Sequence, residues 1–309
     1  MLRWMTALAF LVAPVWAQEE LPEAPEDVPE DEVVPEEETV GEKDIGEEPA
    51  WLPPGRVARG ERDAPAVSVR LREGGILQAK VGDEWKETNL NDLSELLKTS
   101  AVDYDREMQK SGKSGYDTVG TWKLSRLFVS IEAEPTVPWQ HIQWLMTIGA
   151  EQKYPKFELS DGTRKLLAFL PVDRGIPARR AKPPPVELKL SVQVIGRAEA
   201  PATWGDVRVP RPTDIRYKVG LHEETAELTA VDDYVRTGWA TLKDTPDAKV
   251  CGEIKAGHKA PFARVLDVMD TFVAAGLTDV SFYGTAIPDA DLRKSPKLPY
   301  PARNYDTPD

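Results

Sequence analysis

The fold is decided by the stretch VSIEAEPTVPWQHIQWLMTIGAEQKYPKFELS (residues 129–160), which returns as GEIKAGHKAPFARVLDVMDTFVAAGLTDVSFYG (residues 252–284). In both stretches a short alternating apolar run ends at an Ala, and a Pro a few residues later opens a helical pattern. The two prolines, Pro138 and Pro261, are 123 positions apart, and the stretches align without a gap. Repetition at a fixed spacing indicates that one supersecondary unit is used twice.

The matched positions carry large apolar side chains at helical spacing. They pair Ile131 with Ile254, Trp139 with Phe262, Ile142 with Val265, Leu145 with Val268, and Met146 with Met269. This spacing predicts a helix with one apolar face that packs on a sheet. Pro is favoured in the first turn of a helix, where its missing N–H would be unpaired anyway, so both helices are predicted to begin at their prolines. An alternating run at 278–283 completes a unit of strand, helix and strand.

The second copy carries a family resemblance. Residues 249–284 resemble the end of the periplasmic domain of ExbD/TolR biopolymer transport proteins, and the first copy resembles a diverged duplicate of it. The positions that match the family pattern are Ala256, Pro261, Phe262, Val265, Val268, Met269, Asp270, Ala275 and Gly276. The resemblance implies a small periplasmic domain that associates as a dimer and contacts cell-wall or energy-transducer partners.

The predicted fold class is α+β, with two tandem small two-layer domains, each a mixed sheet packed by helices and similar to the ExbD/TolR periplasmic domain. The predicted domains are residues 65–173 and 186–288, joined by a Pro-rich basic linker at 174–185 and followed by a flexible tail at 289–309. In the second domain, strands at 187–195 and 214–220 are separated by a Pro-rich loop that runs through Pro212.

The N-terminus predicts a cleaved signal peptide at residues 1–17. Arg3 precedes an apolar stretch from Trp4 to Val15, and Ala17 ends a small-residue cleavage site. The apolar stretch is shorter than the roughly 20 residues that span a bilayer, so no membrane span is expected, and the transmembrane helix of the family has no counterpart here. These features predict secretion across the inner membrane into the periplasm. An uncleaved segment held in the inner membrane is the alternative.

Residues 18–64 are predicted to form an acidic, Pro-rich, disordered arm. Between Gln18 and Glu48 there are 15 Asp or Glu and a single Lys, and almost nothing that could form a core. This stretch accounts for the formal net charge of −13, since the rest of the chain carries 37 acidic and 38 basic residues. The acidity therefore belongs to the arm, and nucleic-acid binding is not predicted.

The sequence offers little catalytic chemistry. It has three His and one Cys, with no pair of His at metal-ligand spacing and no P-loop, nucleophile-elbow or dinucleotide-binding pattern. No catalytic residue, metal site or cofactor is predicted. Cys251 lies on a predicted strand and is expected to be a small buried residue.

The candidate binding residues are Pro138, Trp139, His258, Pro261 and Phe262. The two Pro-aromatic pairs occupy equivalent junctions between loop and helix, and His258 lies in the loop before the second helix. A half-exposed aromatic ring at such a junction can form the wall of a pocket for a peptide or a sugar. Core packing of the two rings and a solvated His258 are the alternatives.

The sequence features predict a non-catalytic envelope protein. The resemblance to ExbD/TolR implies an accessory binding role in biopolymer transport or envelope maintenance by a Tol/Ton-like system, with stator or energy-transducer subunits, or peptidoglycan, as partners. The fused copies are expected to form within one molecule the pseudo-dimer that the family builds from two chains. The alternative is a stand-alone module that binds peptidoglycan, carbohydrate or peptide, unconnected with a motor.

Overall fold

A computed structural model describes residues 55–171, 186–282 and 287–301 of the chain. The described residues belong to one compact unit, and their fold is α+β, as predicted. The strands are β1 Arg56–Ala58, β2 Ala66–Leu71, β3 Leu77–Val81, β4 Glu84–Glu87, β5 Tyr116–Val119, β6 Trp122–Ser125, β7 Phe128–Ala133, β8 Lys156–Ser160, β9 Lys165–Phe169, β10 Val186–Trp204, β11 Val207–Val219, β12 Glu224–Thr225, β13 Ala248–Ala256 and β14 Val280–Phe282. The helices are α1 Leu90–Lys110, α2 Trp139–Glu151, α3 Leu228–Leu242, α4 Phe262–Ala274 and α5 Ala290–Lys294.

Two sheets share one strand order. The larger sheet runs β1-β9-β8-β7-β2-β3-β4 and the smaller runs β14-β13-β10-β11-β12. Without β1 and β9, the larger sheet has the same order as the smaller one, and the central parallel pairs have the same register. Val69 pairs with Ile131 in the larger sheet, and Val192 pairs with Ile254 in the smaller one, 123 positions further along. The repeat visible in residues 129–160 and 252–284 therefore extends to a first repeat at residues 66–169 and a second at residues 186–282.

Helices α2 and α4 begin one residue after the prolines that were predicted to open them. Pro138 and Pro261 occupy the N-cap positions, and Trp139 and Phe262 are the first helical residues. The apolar side chains predicted to line one face of each helix are buried, including Ile142 in α2. The pattern of period 3.6 therefore identified which faces enter the core.

Strand β1 lies between the two repeats. It pairs antiparallel with β9 on one side. On the other side, the N–H of Val57 donates to the Thr278 carbonyl at 2.8 Å, and the N–H of Val280 donates to the Gly55 carbonyl at 3.1 Å. The predicted arm is therefore too long at its C-terminal end, because residues 55–64 belong to the folded part. A three-residue strand has too little pattern of its own to be recognised in sequence.

The Pro-rich stretch before Pro212 is a two-stranded ribbon, which corrects the predicted loop. Strands β10 and β11 stay paired from Val192 opposite Val219 to Trp204 opposite Val207, with a bulge near Ala198. Over most of this length each strand has a single partner, so a Pro can be accommodated where no ladder hydrogen bond is required. At the tip of the ribbon, the indole N–H of Trp204 donates to the Leu298 carbonyl at 2.8 Å.

The C-terminal segment is also ordered where the sequence predicts a flexible tail. Residues 287–301, here called the C-terminal strap, contain α5, whose N-cap Asp289 accepts from the Leu292 N–H. Leu298 is buried, and its N–H donates to the Gly75 carbonyl at 2.9 Å. Tertiary contacts hold the strap, which has too few apolar residues to predict an element by itself.

In residues 55–171, 186–282 and 287–301, no helix combines the length and the apolar character needed to cross a membrane. The predicted signal peptide, residues 18–54 of the predicted arm, and the predicted linker lie outside the described residues.

Replacing Gly75 with Ala is expected to destabilise the protein by about 2 kcal/mol, because the new methyl group adds overlap to backbone strain. Gly75 has φ +78°, and a Cβ atom there would overlap the carbonyl oxygen of Leu298. We expect a lower thermal midpoint and faster proteolysis within the strap. Gly82 is the control, because its φ is +63° and a Cβ atom there meets nothing within 4 Å. Equal losses in both variants would show that the strap contact is unimportant.

Candidate functional site

The two repeats meet at a junction that has an internal two-fold character. Pro138 and Pro261 face each other as an isolated antiparallel bridge. The N–H of Trp139 donates to the Ala260 carbonyl at 2.7 Å, and the N–H of Phe262 donates to the Val137 carbonyl at 2.8 Å. Each donor and each acceptor is 123 positions from its counterpart, so the contacts are reciprocal, as in an isologous interface.

A second reciprocal pair flanks the first. The N–H of Gln140 donates to the His258 carbonyl at 3.2 Å, and the N–H of Ala263 donates to the Pro135 carbonyl at 3.1 Å. Four main-chain hydrogen bonds therefore join the N-terminal ends of α2 and α4, where backbone N–H groups lack partners within their own helix.

The candidate aromatic residues meet at this junction. The rings of Trp139 and Phe262 are stacked, with centroids 6.3 Å apart and planes 9° apart. They are only 1% and 0% exposed, so they are core residues and not the half-exposed rings that were predicted. Each ring is covered by the other repeat, a contact that the sequence of one repeat cannot show. His258 is partly buried, and burial lowers the pKa of its imidazole.

Ion pairs add to the contact between repeats. Arg164, in the turn between β8 and β9, bonds to Asp161 in its own turn and to Asp267 of α4. Burial alone raises the pKa of Asp161, but hydrogen bonds from Thr163 and Arg164 outweigh it and lower that pKa to about 2. Asp161 therefore stays ionised and holds the guanidinium group that reaches the other repeat.

A cavity of about 540 Å³ opens beside the junction. We call it the inter-repeat groove. One wall is a largely buried side of α2, formed by Trp139, Gln143, Met146, Thr147 and Ala150. The floor lies on one face of the smaller sheet. It consists of alternate residues along β10, β13 and the segment that enters β14: Glu187, Lys189, Lys249, Cys251, Asp279 and Ser281. Leu170, Pro171 and Ile287 line its remaining sides, and Ile287 is 73% exposed.

Charges in the groove neutralise one another. Lys249 pairs with Asp279 at 3.1 Å, and Lys189 pairs with Glu253 at 3.4 Å. At the rim, Glu151 pairs with Arg293 of the strap at 2.5 Å. Cys251 is only partly buried, unlike the prediction, and burial raises the pKa of its thiol. The groove therefore combines an apolar wall with a polar floor of small net charge, an arrangement typical of binding sites.

A second feature of this region is a buried aromatic cluster around His141. The His141 Nε2–H donates to the Pro299 carbonyl at 2.9 Å. Its Nδ1 is buried and has no hydrogen-bond partner among the residues that the structure describes. The ring lies 5.0 Å from Trp144 and 5.3 Å from Trp204 between centroids. Burial lowers the pKa of His141 to about 4, although the bond to Pro299 acts in the opposite direction.

Of the groove residues, sequence reasoning identified only Trp139, because the others come from separate elements and segments and belong to no recognisable motif. Within the described ranges, no three His, Cys, Asp or Glu side chains are grouped so that they could hold a metal ion. The spacing of 123 offered a further signal. Applied to the polar residues Lys156, Glu158 and Asp270, it points to Asp279, Ser281 and Thr147, which line the groove.

Comparison with known proteins found no matching family model, no matching curated protein and no matching solved structure.

Proposed function

We propose that this chain is a non-catalytic binding protein of the cell envelope, with two repeats that resemble the ExbD/TolR periplasmic domain. Its role would be accessory, in biopolymer transport or envelope maintenance by a Tol/Ton-like system. The observation that supports this proposal is the reciprocal junction at Pro138 and Pro261, formed by two repeats of the same strand order. In this proposal one chain supplies both halves of an arrangement that the family builds from two chains.

The inter-repeat groove is the proposed binding site. It lies where residues of both repeats converge, as ligand sites often do, and its volume falls within the range of roughly 300–1,000 Å³ that is usual for such sites. Ala150, Leu170 and Ile287 give it apolar sides, and Lys249 and Asp279 give it a polar floor. A partner held there would contact both repeats, so binding would depend on their relative placement.

The test is photo-crosslinking in the native cells. A benzophenone amino acid at Ile287, which is exposed at the groove, is expected to capture a stator or energy-transducer subunit, identified by mass spectrometry. The same amino acid at Lys113, an exposed residue remote from the groove, is the control and should not capture it. Adducts only with cell-wall material would favour the stand-alone module instead. The same adducts from both positions, or none, would contradict the proposed site.

A further inference from the structure

A second face, formed by β8 of the first repeat and α4 of the second, corresponds to the inter-repeat groove, and the chain itself covers that face. Residues 59–63, a non-helical stretch between β1 and β2, run across it. Arg59 pairs with Asp270 of α4 at 2.7 Å, and Arg62 pairs with Glu158 of β8 at 3.0 Å. Asp63 lies 3.9 Å from the ammonium group of Lys156, which is almost fully buried.

The contacts of residues 59–63 map onto the groove. The residue 123 positions before Asp270 is Thr147. The residues 123 positions after Glu158 and Lys156 are Ser281 and Asp279. All three counterparts line the groove. The groove is therefore the structural counterpart of the covered face, which binds a linear segment of the chain itself.

The substitutions between the two faces indicate the chemistry of the occupant. The carboxylates of Asp270 and Glu158, which hold Arg59 and Arg62 on the covered face, have the uncharged Thr147 and Ser281 as their counterparts in the groove. Asp279 is already paired with Lys249. At these positions a cationic side chain would therefore find no counterpart of the carboxylates that bind Arg59 and Arg62. Ala150, Leu170 and Ile287 line the groove with apolar groups, which favour an uncharged segment with apolar side chains.

We propose that the inter-repeat groove binds a linear peptide segment of a partner protein, uncharged and apolar where it contacts Thr147 and Ser281. The segment lies across the smaller sheet, in the position that corresponds to the position of residues 59–63 on the larger sheet. This inference rests on the proposed function and names the chemical class of ligand for the same site.

Two labelled peptides test the inference by fluorescence anisotropy with the mature full-length chain. The first copies residues 57–66 unchanged. The second carries Leu in place of Arg59 and Arg62, Gln in place of Glu61 and Asn in place of Asp63. The uncharged peptide is expected to bind saturably and about tenfold more tightly than the unchanged copy, a ratio that corresponds to about 1.4 kcal/mol.

A double variant, Thr147→Asp with Ser281→Glu, should reverse this preference, because it places in the groove the counterparts of the carboxylates that hold Arg59 and Arg62 on the covered face. Lys113→Glu changes the net charge by the same amount away from the groove, and should leave both affinities unchanged. An unchanged peptide preference in the double variant, with its thermal midpoint preserved, would overturn the inference.

Two further outcomes would also overturn it. If neither peptide binds, although the crosslinker at Ile287 captures a protein in cells, the proposed function stands and the groove binds a folded surface. If the uncharged peptide binds only after residues 174–185 are replaced by a Gly/Ser sequence of equal length, the linker of the chain itself is the occupant.

Discussion

The Trp139→Ala variant is expected to lose about 3–5 kcal/mol of unfolding free energy, the usual cost of removing a fully buried large aromatic side chain. Phe262→Ala should cost about the same, because Phe262 is buried in the same contact. Trp139 stacks on Phe262 across the junction, and the main chain of both residues bonds to the other repeat. Unfolding in denaturant, followed by circular dichroism and Trp fluorescence, measures both losses.

A double-mutant cycle tests whether the two rings act together. Stacked aromatic pairs contribute about 0.5–1.5 kcal/mol beyond the area that each ring buries, so the double variant should lose less than the sum of the single losses. Trp122→Ala is the matched control, because Trp122 is 41% exposed, and it should cost less than about 1 kcal/mol. Additive losses at positions 139 and 262 would indicate that the stacked contact carries no energy.

Acidification from pH 6.5 to pH 4 is expected to remove about 3 kcal/mol of stability through His141, since each pH unit between the folded and unfolded pKa values is worth about 1.4 kcal/mol. The pKa of His141 is lowered from 6.5 to about 4 by burial. Between these values the unfolded chain binds a proton that the folded chain does not bind. The contribution of His141 to the unfolding free energy is therefore full above pH 6.5. It decreases as the pH falls from 6.5 to 4, and it changes no further below pH 4.

The structure explains why protonation of His141 is unfavourable in the folded protein. Within residues 55–171, 186–282 and 287–301, Nδ1 of His141 has no hydrogen-bond partner, so a proton there would be buried without an acceptor from these residues. The charged groups near the cluster include two cations. Arg211 lies over Trp204 and Tyr300 and pairs with Glu73. Lys259 lies near Tyr300 and pairs with Glu199.

Denaturant unfolding at a series of pH values separates this effect from others. In His141→Phe the part of the pH dependence that belongs to His141 should disappear, even though the variant is less stable at neutral pH because the Pro299 carbonyl loses its donor. His222→Gln, in an exposed turn, is the matched control for the removal of an imidazole. His258 contributes in the same direction because burial lowers its pKa, so the comparison is between variants. An unaltered pH profile in His141→Phe would exclude His141 as the cause.

The repeat and its helices could be predicted from local sequence. Apolar residues at helical spacing after Pro138 and Pro261 identify α2 and α4 with their buried faces, and alternation identifies β7 and β13. These signals are reliable because a helix or strand of ordinary length must place its own apolar side chains on one face. The α+β class follows from the same patterns.

Elements held by distant contacts could not be predicted in the same way. Strand β1 has only three residues. The ribbon of β10 and β11 contains Pro201 and Pro210, which are unfavourable in strands. The C-terminal strap has the composition of a polar tail. Each is ordered by partners far away in the chain, such as Thr278 for β1 and Gly75 for the strap. Local composition carries no record of those partners.

The candidate site is likewise divided between features that local sequence predicts and features that distant contacts determine. The sequence by itself determined that two copies of one unit exist, where their helices begin, and that Trp139 and Phe262 occupy equivalent positions. Only the tertiary structure decided that these rings bury each other, and that Thr147, Asp279 and Ser281 line one groove. The reason is physical: periodicity reports the face a side chain takes within its own element, whereas exposure depends on which other element covers that face.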